Sequence, residues 1–406
     1  MASNVSFSNS TGQEQNDTTD DTDPSQYYYT KDQEIVITIV MPILLALGLS
    51  LNFAFLFVVA RVRTMRTITN YYLVNLAISD SLYISFAIAD KIIRFYASPL
   101  EFDQTVLTKT GCIFIAGMTD MTYYVSLFTV VLFTCERFLA ITFPLKAQMM
   151  SSKKRTLVLI FITWVVGFTF SIPFTLGNSK WNKVELAWLG FPSNIGLPEY
   201  IYICYEFDSP LTRAAQIIHV FPFFISMAIV TILNSIICIK IACDNKGVGE
   251  SKRSQSSIKS RNQVVRMLIV TSMLFFILLF PFEFASFVPI FDQDSLYGII
   301  PEEIYHSWIQ VARIMTYINC ATNPIIYNAL SARYRAAFLE AFCCKQPRQG
   351  NRGSSAYATK QTSVYSKSSV STAKVGNDIP IETVSVDSTR FNTEDTVVAQ
   401  NVDNKD

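Results

Sequence analysis

Seven apolar stretches limit what this chain can fold into. They lie at 35–60, 68–96, 112–141, 156–176, 214–239, 267–290 and 304–327. Each is long enough to cross roughly 30 Å of hydrocarbon as a helix rising about 1.5 Å per residue. Lipid offers no hydrogen bonds to the backbone, so each crossing segment must satisfy its own peptide groups, as a helix does. The first stretch carries no charge; the second, third, sixth and seventh hold isolated charges, so an apolarity cut-off understates them. Composition agrees: 50% of the residues are hydrophobic and 16% charged, against about 25% charged in soluble domains. A net charge of +1 gives no basic excess for nucleic acid. The 31 Phe and 19 Tyr exclude disorder of the whole chain. The predicted fold class is an all-α membrane protein, a seven-helix transmembrane bundle. Its predicted organisation is an N-terminal segment 1–34, a bundle 35–330, a short amphipathic helix 331–345 and a disordered tail 346–406.

Orientation follows from the basic residues, which collect on the cytoplasmic side. Arg61, Arg63 and Arg66 follow the first stretch, and Lys146, Lys153, Lys154 and Arg155 the third. A third group, from Lys240 to Arg266, separates the fifth and sixth, and Arg333 and Arg335 follow the seventh. With seven spans all four groups share one side. The N-terminus is then outside and the C-terminus in the cytoplasm, as a multi-pass protein of the plasma membrane. Three glycosylation sequons, at Asn4, Asn9 and Asn16, fall on the predicted outer side. Cys112 and Cys204 are the two cysteines placed on the oxidising face, which points to a disulfide between them. Cys135, Cys238 and Cys320 read as packing residues. Cys343 and Cys344 follow the amphipathic stretch 331–342, a context for palmitoylation, with unmodified thiols as the alternative. The tail is rich in Ser and Thr, densest at 362–372. It reads as a solvated segment or as a phosphorylation platform.

Charged side chains inside a bilayer are costly and mark function by default. Asp80 lies near the middle of the second span. Ser126 is eleven residues before Arg137, about 16 Å along the helix. Asn319 and Asn323 share a face of the seventh span. These four reach one level, and their oxygens suit a small cation such as Na⁺; a hydrogen-bonded cluster that ties helices together is the other reading. A second layer lies nearer the outside. Asp120 is roughly 25 Å above Arg137, and Glu283 roughly 25 Å above Arg266. Arg313 falls at a similar height, and Asp90, Lys91 and Arg94 lie above Asp80. Either these charges pair internally, for instance Glu283 with Arg313, or they wall a ligand pocket open to the outside. The pocket set is Asp90, Arg94, Asp120, Glu283, Gln310, Arg313 and Tyr317. The two histidines, His219 and His306, are isolated, which leaves no His-based metal cluster and no nucleophile–base set for an enzyme; each reads as a packing or rim residue. Pro281 and Pro324 each remove a helical hydrogen bond and allow bending.

Together these residues resemble the rhodopsin-like (class A) G-protein-coupled receptor family. The run Asn75-Leu76-Ala77-Ile78-Ser79-Asp80 is similar to the family's span-two motif, and Glu136-Arg137-Phe138 to its acidic-Arg-Tyr motif, with Pro144-Leu145 following at the family's spacing. Asn52, Trp164, Pro222, Pro281 and Asn323-Pro324-Ile325-Ile326-Tyr327 match one signature in each remaining span. The resemblance covers 35–344. It implies that Arg137, restrained by Glu136, engages G protein when span six swings outward, and that Leu145 packs on the G protein. It implies roles in activation for Phe275, Pro281, Asn323, Pro324 and Tyr327. It implies a sodium site at Asp80, Ser126, Asn319 and Asn323, no other cofactor, and an eighth helix at 331–342. Departures are Leu279 where the family usually carries Trp, Val230 where it carries Tyr, and Phe138 in the third motif position.

Thr119 stands where amine receptors place Asp, and span seven carries no Lys, which argues against amines and retinal. A long outer loop, an ionic outer pocket and a short third inner loop resemble peptide receptors. The runs Asn70-Tyr71-Tyr72-Leu73 and Asn328-Ala329-Leu330-Ser331 are similar to neuropeptide receptors. The expected partners are an extracellular peptide, heterotrimeric G proteins, arrestin and receptor kinases at the tail, and membrane lipid; a small non-amine ligand is the alternative. A transporter or channel needs inverted repeats or a lined pore, and neither is visible.

Overall fold

The apolar stretches become helices, with two additions that periodicity did not foretell. The computed structural model describes residues 27–150, 152–177, 181–186, 197–204, 210–246, 252–287, 290 and 302–343. Span one is Lys31–Arg61, with a π-helical turn at Val36–Val40. Spans two to five are Ile68–Ala97, Thr108–Thr142, Lys153–Gly177 and Pro210–Lys246. Spans six and seven are Lys252–Phe287 and Glu302–Leu330. A short helix, Pro144–Met150, follows span three, and a 12-residue helix, Ala332–Cys343, follows span seven. Span one begins at Lys31, four residues inside the expected N-terminal segment. There Thr30 caps the helix: its Oγ1 accepts from the Gln33 amide at 3.3 Å while Gln33 Oε1 accepts from the Thr30 amide at 2.8 Å. The sequon residues Asn4, Asn9 and Asn16, together with Cys344 and the tail, lie outside the described residues.

Among the described residues six helices, spans one to six, are long and apolar enough to cross a membrane. Span seven is not among them because it carries Gln310, Arg313, Asn319 and Asn323 on a face turned into the bundle. Those polar groups lower its apolarity without exposing it to lipid. The outward faces carry Ile43, Phe53, Phe161, Phe168, Ile225 and Ile232, all exposed. In water such a surface would drive association; in a bilayer it meets acyl chains. Span three is the axis, touching spans two, four, five and six, while span seven touches spans one, two and six. The core between them is aromatic and aliphatic, built on Phe55, Leu76, Tyr124, Phe133, Phe223 and Phe275.

Three polar ties hold the spans in register. Pro324 has no N–H for the Cys320 carbonyl one turn back. That carbonyl instead accepts from Asn52 Nδ2 of span one at 2.9 Å. Pro222 likewise frees the Ile218 carbonyl, and the Tyr124 hydroxyl donates to it at 3.3 Å. Asn75 links three helices: its Nδ2 donates to Thr129 Oγ1 at 2.7 Å, and its Oδ1 accepts from Trp164 Nε1 at 2.8 Å.

The second unforeseen element, after the Pro144–Met150 helix, is a β-hairpin at one end of the bundle. Strand β1, Trp181–Glu185, pairs antiparallel with β2, Tyr200–Cys204, with Trp181 opposite Cys204. The alternation Tyr-Ile-Tyr-Ile puts Ile201 and Ile203 on the buried face with Val184. The expected disulfide is present: Cys204 on β2 joins Cys112 of span three across a Cα–Cα distance of 5.8 Å. Tyr27 packs into the same apolar cluster, and the Tyr28 backbone bridges Leu100. The two ends of the bundle are named below the hairpin end and the Arg137 end.

Candidate functional site

Of the four mid-bundle residues, Asp80, Ser126 and Asn323 meet in the structure, and Ser79 joins them. Ser126 Oγ lies 2.8 Å from Asp80 Oδ1 and 2.8 Å from Ser79 Oγ. Asn323 Nδ2 donates to Asp80 Oδ2 at 2.7 Å. All four side chains are buried. Asn319 is buried one turn before Asn323 and, among the described residues, makes no hydrogen bond to Asp80. Ser79 was missed, although it is the neighbour of Asp80 and its hydroxyl is the kind of group that bonds across helices. A carboxylate, hydroxyls and amide oxygens are a donor set that fits a hard cation such as Na⁺.

At the Arg137 end, Arg137 Nη2 sits 2.8 Å from Glu136 Oε2 and hydrogen-bonds Thr69 Oγ1 of span two. Thr69 carries no local signal; only the packing of span two on span three finds it. Beside Arg137 the space between spans three, five and six is lined by Phe133, Thr134, Asn234, Ile237, Val265 and Leu268 and is too narrow for a water molecule. Ile141, Ile237 and Val265 pack together there, and Asn234 Nδ2 donates to Ser272 Oγ at 2.8 Å, joining span five to span six. This end is therefore packed shut. Leu145 on the short helix stands 78% exposed beside it. Tyr327 is buried against Phe55 and Tyr334, with ring centroids 5.2 and 5.6 Å away, and its hydroxyl has no hydrogen-bond partner among the described residues. Phe275, Leu279 and Val230 all lie in the central core. On the last helix Tyr334, Ala337 and Ala341 face inward while Leu339, Phe342 and Cys343 are exposed.

At the hairpin end the charges meet, but not in the expected pairs. Glu283 does not pair with Arg313. It is fully buried, with neither carboxylate oxygen hydrogen-bonded. Its charged neighbours are Asp120 and His219, and the Tyr123 ring lies beside it. Asp120 Oδ1 is 2.8 Å from His219 Nδ1. His219 thus is more than a packing residue, and the hint was an ionisable group inside an apolar span. Its ring also stacks on Phe174 at 4.5 Å. Asp90 lies 3.4 Å from Arg94 Nε and 3.9 Å from Lys91 Nζ. Arg313 and Gln310 are half-buried on span seven, and Tyr317 is buried near Arg313 and Asp90. Tyr29, ahead of span one, covers this side. Its ring meets Phe95 at 5.0 Å, and burial pushes its hydroxyl up to about 12, opposed in part by Arg94.

Seven spanning helices, a disulfide-anchored hairpin at one end and an ion-paired arginine at the other define a multi-pass membrane receptor. The chain belongs to the seven-transmembrane receptor family (rhodopsin family), whose sequence model matches residues 51–327. Among its relatives, neuromedin-U receptor 2 of Mus musculus is 26% identical over 76% of this chain and 75% of that protein. The growth hormone secretagogue receptor type 1 of Homo sapiens is 28% identical over 72% and 77%. The thyrotropin-releasing hormone receptor of Gallus gallus is 26% identical over 83% and 85%. Membership makes this chain a receptor of the plasma membrane and not an enzyme.

Proposed function

We propose that this chain is a receptor for an extracellular peptide that signals through heterotrimeric G proteins, with the hairpin end outside and the Arg137 end in the cytoplasm. The observation that carries the reading is the contrast between the two ends of one bundle. The hairpin end holds charged side chains lacking full partners, while the Arg137 end is shut over a restrained arginine. Relatives matched over three quarters or more of both chains are receptors for neuromedin-U and thyrotropin-releasing hormone, which supports a peptide. A ligand opens the Arg137 end only through its differential affinity for the two arrangements. Span six pivots at Pro281, and Arg137 leaves Glu136 and Thr69 to meet the G protein, with Leu145 as a second contact. Na⁺ at Asp80, Ser126, Asn319 and Asn323 would favour the closed arrangement by tying spans two, three and seven. In the same reading Asn4, Asn9 and Asn16 carry glycans. Cys343 and Cys344 carry acyl chains that hold the last helix against the lipid, and tail phosphates recruit arrestin.

The test is calcium and cAMP readout in cells expressing the full chain and challenged with peptides. The expected result is a peptide-dependent response that Arg137→Ala removes while surface expression persists. A response unchanged in Arg137→Ala would overturn the reading.

A further inference from the structure

The charges at the hairpin end sort by sign. Spans two and seven carry Lys91, Arg94 and Arg313, which lie within electrostatic reach of one another. Asp90 is the carboxylate in ion-pair contact with this group, and it serves Lys91 and Arg94. Arg94 is only 5% exposed, and its Nε makes no hydrogen bond. Arg313 has no ion pair among the described residues. Spans three and six carry the opposite sign, in Asp120 and Glu283. There Asp120 is matched by His219, and Glu283 is left over. Burying a carboxylate with no donor on either oxygen is among the costlier arrangements a fold can keep. The Tyr123 hydroxyl and the His219 imidazole beside it offset that cost only in part, since neither carboxylate oxygen reaches hydrogen-bond geometry with a described residue. Tyr83 of span two lies within electrostatic reach of both Glu283 and Arg313, so the two charge groups sit at one end of the bundle.

We infer that the ligand is dipolar: Glu283 takes a basic side chain of the peptide, and the Lys91, Arg94 and Arg313 cluster takes an anionic group. This rests on the peptide-receptor reading and extends it to the ligand's chemistry. A guanidinium or ammonium supplies the donors that Glu283 lacks. A carboxylate supplies the counter-charge that Arg313 lacks, since Asp90 pairs with Lys91 and Arg94 and Glu101 adds only a longer-range interaction with Lys91. The carboxylate is that of an acidic side chain or of the peptide's C-terminus.

The test uses short synthetic peptides, each with one Arg and at least one carboxylate, on cells expressing the full chain. Every active peptide is compared with three analogues: Arg replaced by citrulline, the acidic side chain replaced by its amide, and the C-terminal acid replaced by the amide. Citrulline keeps the shape of Arg without its charge. Wild type should lose about thirtyfold or more in potency with citrulline. Glu283→Gln should no longer distinguish Arg from citrulline, whereas Glu283→Asp should still do so. Arg313→Gln should keep the Arg preference and lose most of the discrimination against one of the two amides, and that amide identifies the carboxylate. Surface labelling of each variant controls for folding. Equal potency of Arg and citrulline peptides at wild type, or an Arg preference that survives Glu283→Gln, overturns the inference and leaves the peptide reading standing. The same holds if neither amide weakens the wild-type response. Silence toward every peptide overturns both.

Discussion

At the residue scale, prolines create vacancies that polar side chains from other helices fill. Pro324 frees the Cys320 carbonyl and Asn52 occupies it from a position 268 residues away. Asn52→Leu should therefore lower the thermal stability of the detergent-solubilised receptor, by about 1–3 kcal/mol for the orphaned carbonyl. A melting temperature equal to wild type would show that the carbonyl finds another donor. Asp80 makes the second residue-scale case. If the buried set around it binds Na⁺, replacing sodium by a large organic cation should raise agonist affinity at wild type, and Asp80→Asn should abolish that difference. A sodium effect persisting in Asp80→Asn would remove the cation from this site. Asn52 and Asp80 were legible as polar residues in apolar runs. Their partners were legible in part, because Asn323 and Ser126 share a level with Asp80, but Cys320 offers only a backbone oxygen and so left no trace.

At the scale of the elements, close approach and polar clasps decide which helices can move. A Cβ on Gly167 would lie 2.9 Å from Val125 Cγ2 and 3.1 Å from the Met121 carbonyl oxygen of span three. The glycine lets spans three and four touch backbone to side chain. Gly167→Ala should force them apart and cost about 1–3 kcal/mol, read as reduced surface expression and a lower melting temperature. Asn234 and Ser272 clasp spans five and six beside Arg137, in a core where Val230 and Leu279 replace the family's usual aromatic residues. Asn234→Ala should raise ligand-independent signalling. Basal output equal to wild type would show that the apolar contacts of Ile237 and Val265 alone keep that end shut. Spans one to six were legible because each holds a window apolar enough to cross a membrane despite isolated charges. Span seven was legible through its signature residues, since its inward face is too polar for apolarity to reveal it. The hairpin was missed although Tyr200–Cys204 alternates, because a five-residue strand pattern carries little weight until a partner strand is known.

At the scale of the whole molecule, the bundle is one device with opposite chemistry at its two ends. The disulfide joins the hairpin to span three, the helix that touches spans two, four, five and six. Cys112→Ser should thus loosen the hairpin end and lower stability by about 2–4 kcal/mol, with weaker agonist response from whatever receptor reaches the surface. Full agonist potency in Cys112→Ser would separate the hairpin from ligand recognition. The amino-acid sequence alone determined the number of spans, the disulfide pair and the levels at which charges lie, because those depend on local apolarity, topology and helical rise. Which charges meet at a given level was decided only by tertiary structure. Glu283 and Arg313 stand at one height, yet the packing turns Glu283 toward the His219 and Asp120 pair and leaves Arg313 with Lys91 and Arg94. The rotation of each helix about its own axis sets those partners, and it comes from side chains fitting between neighbouring spans.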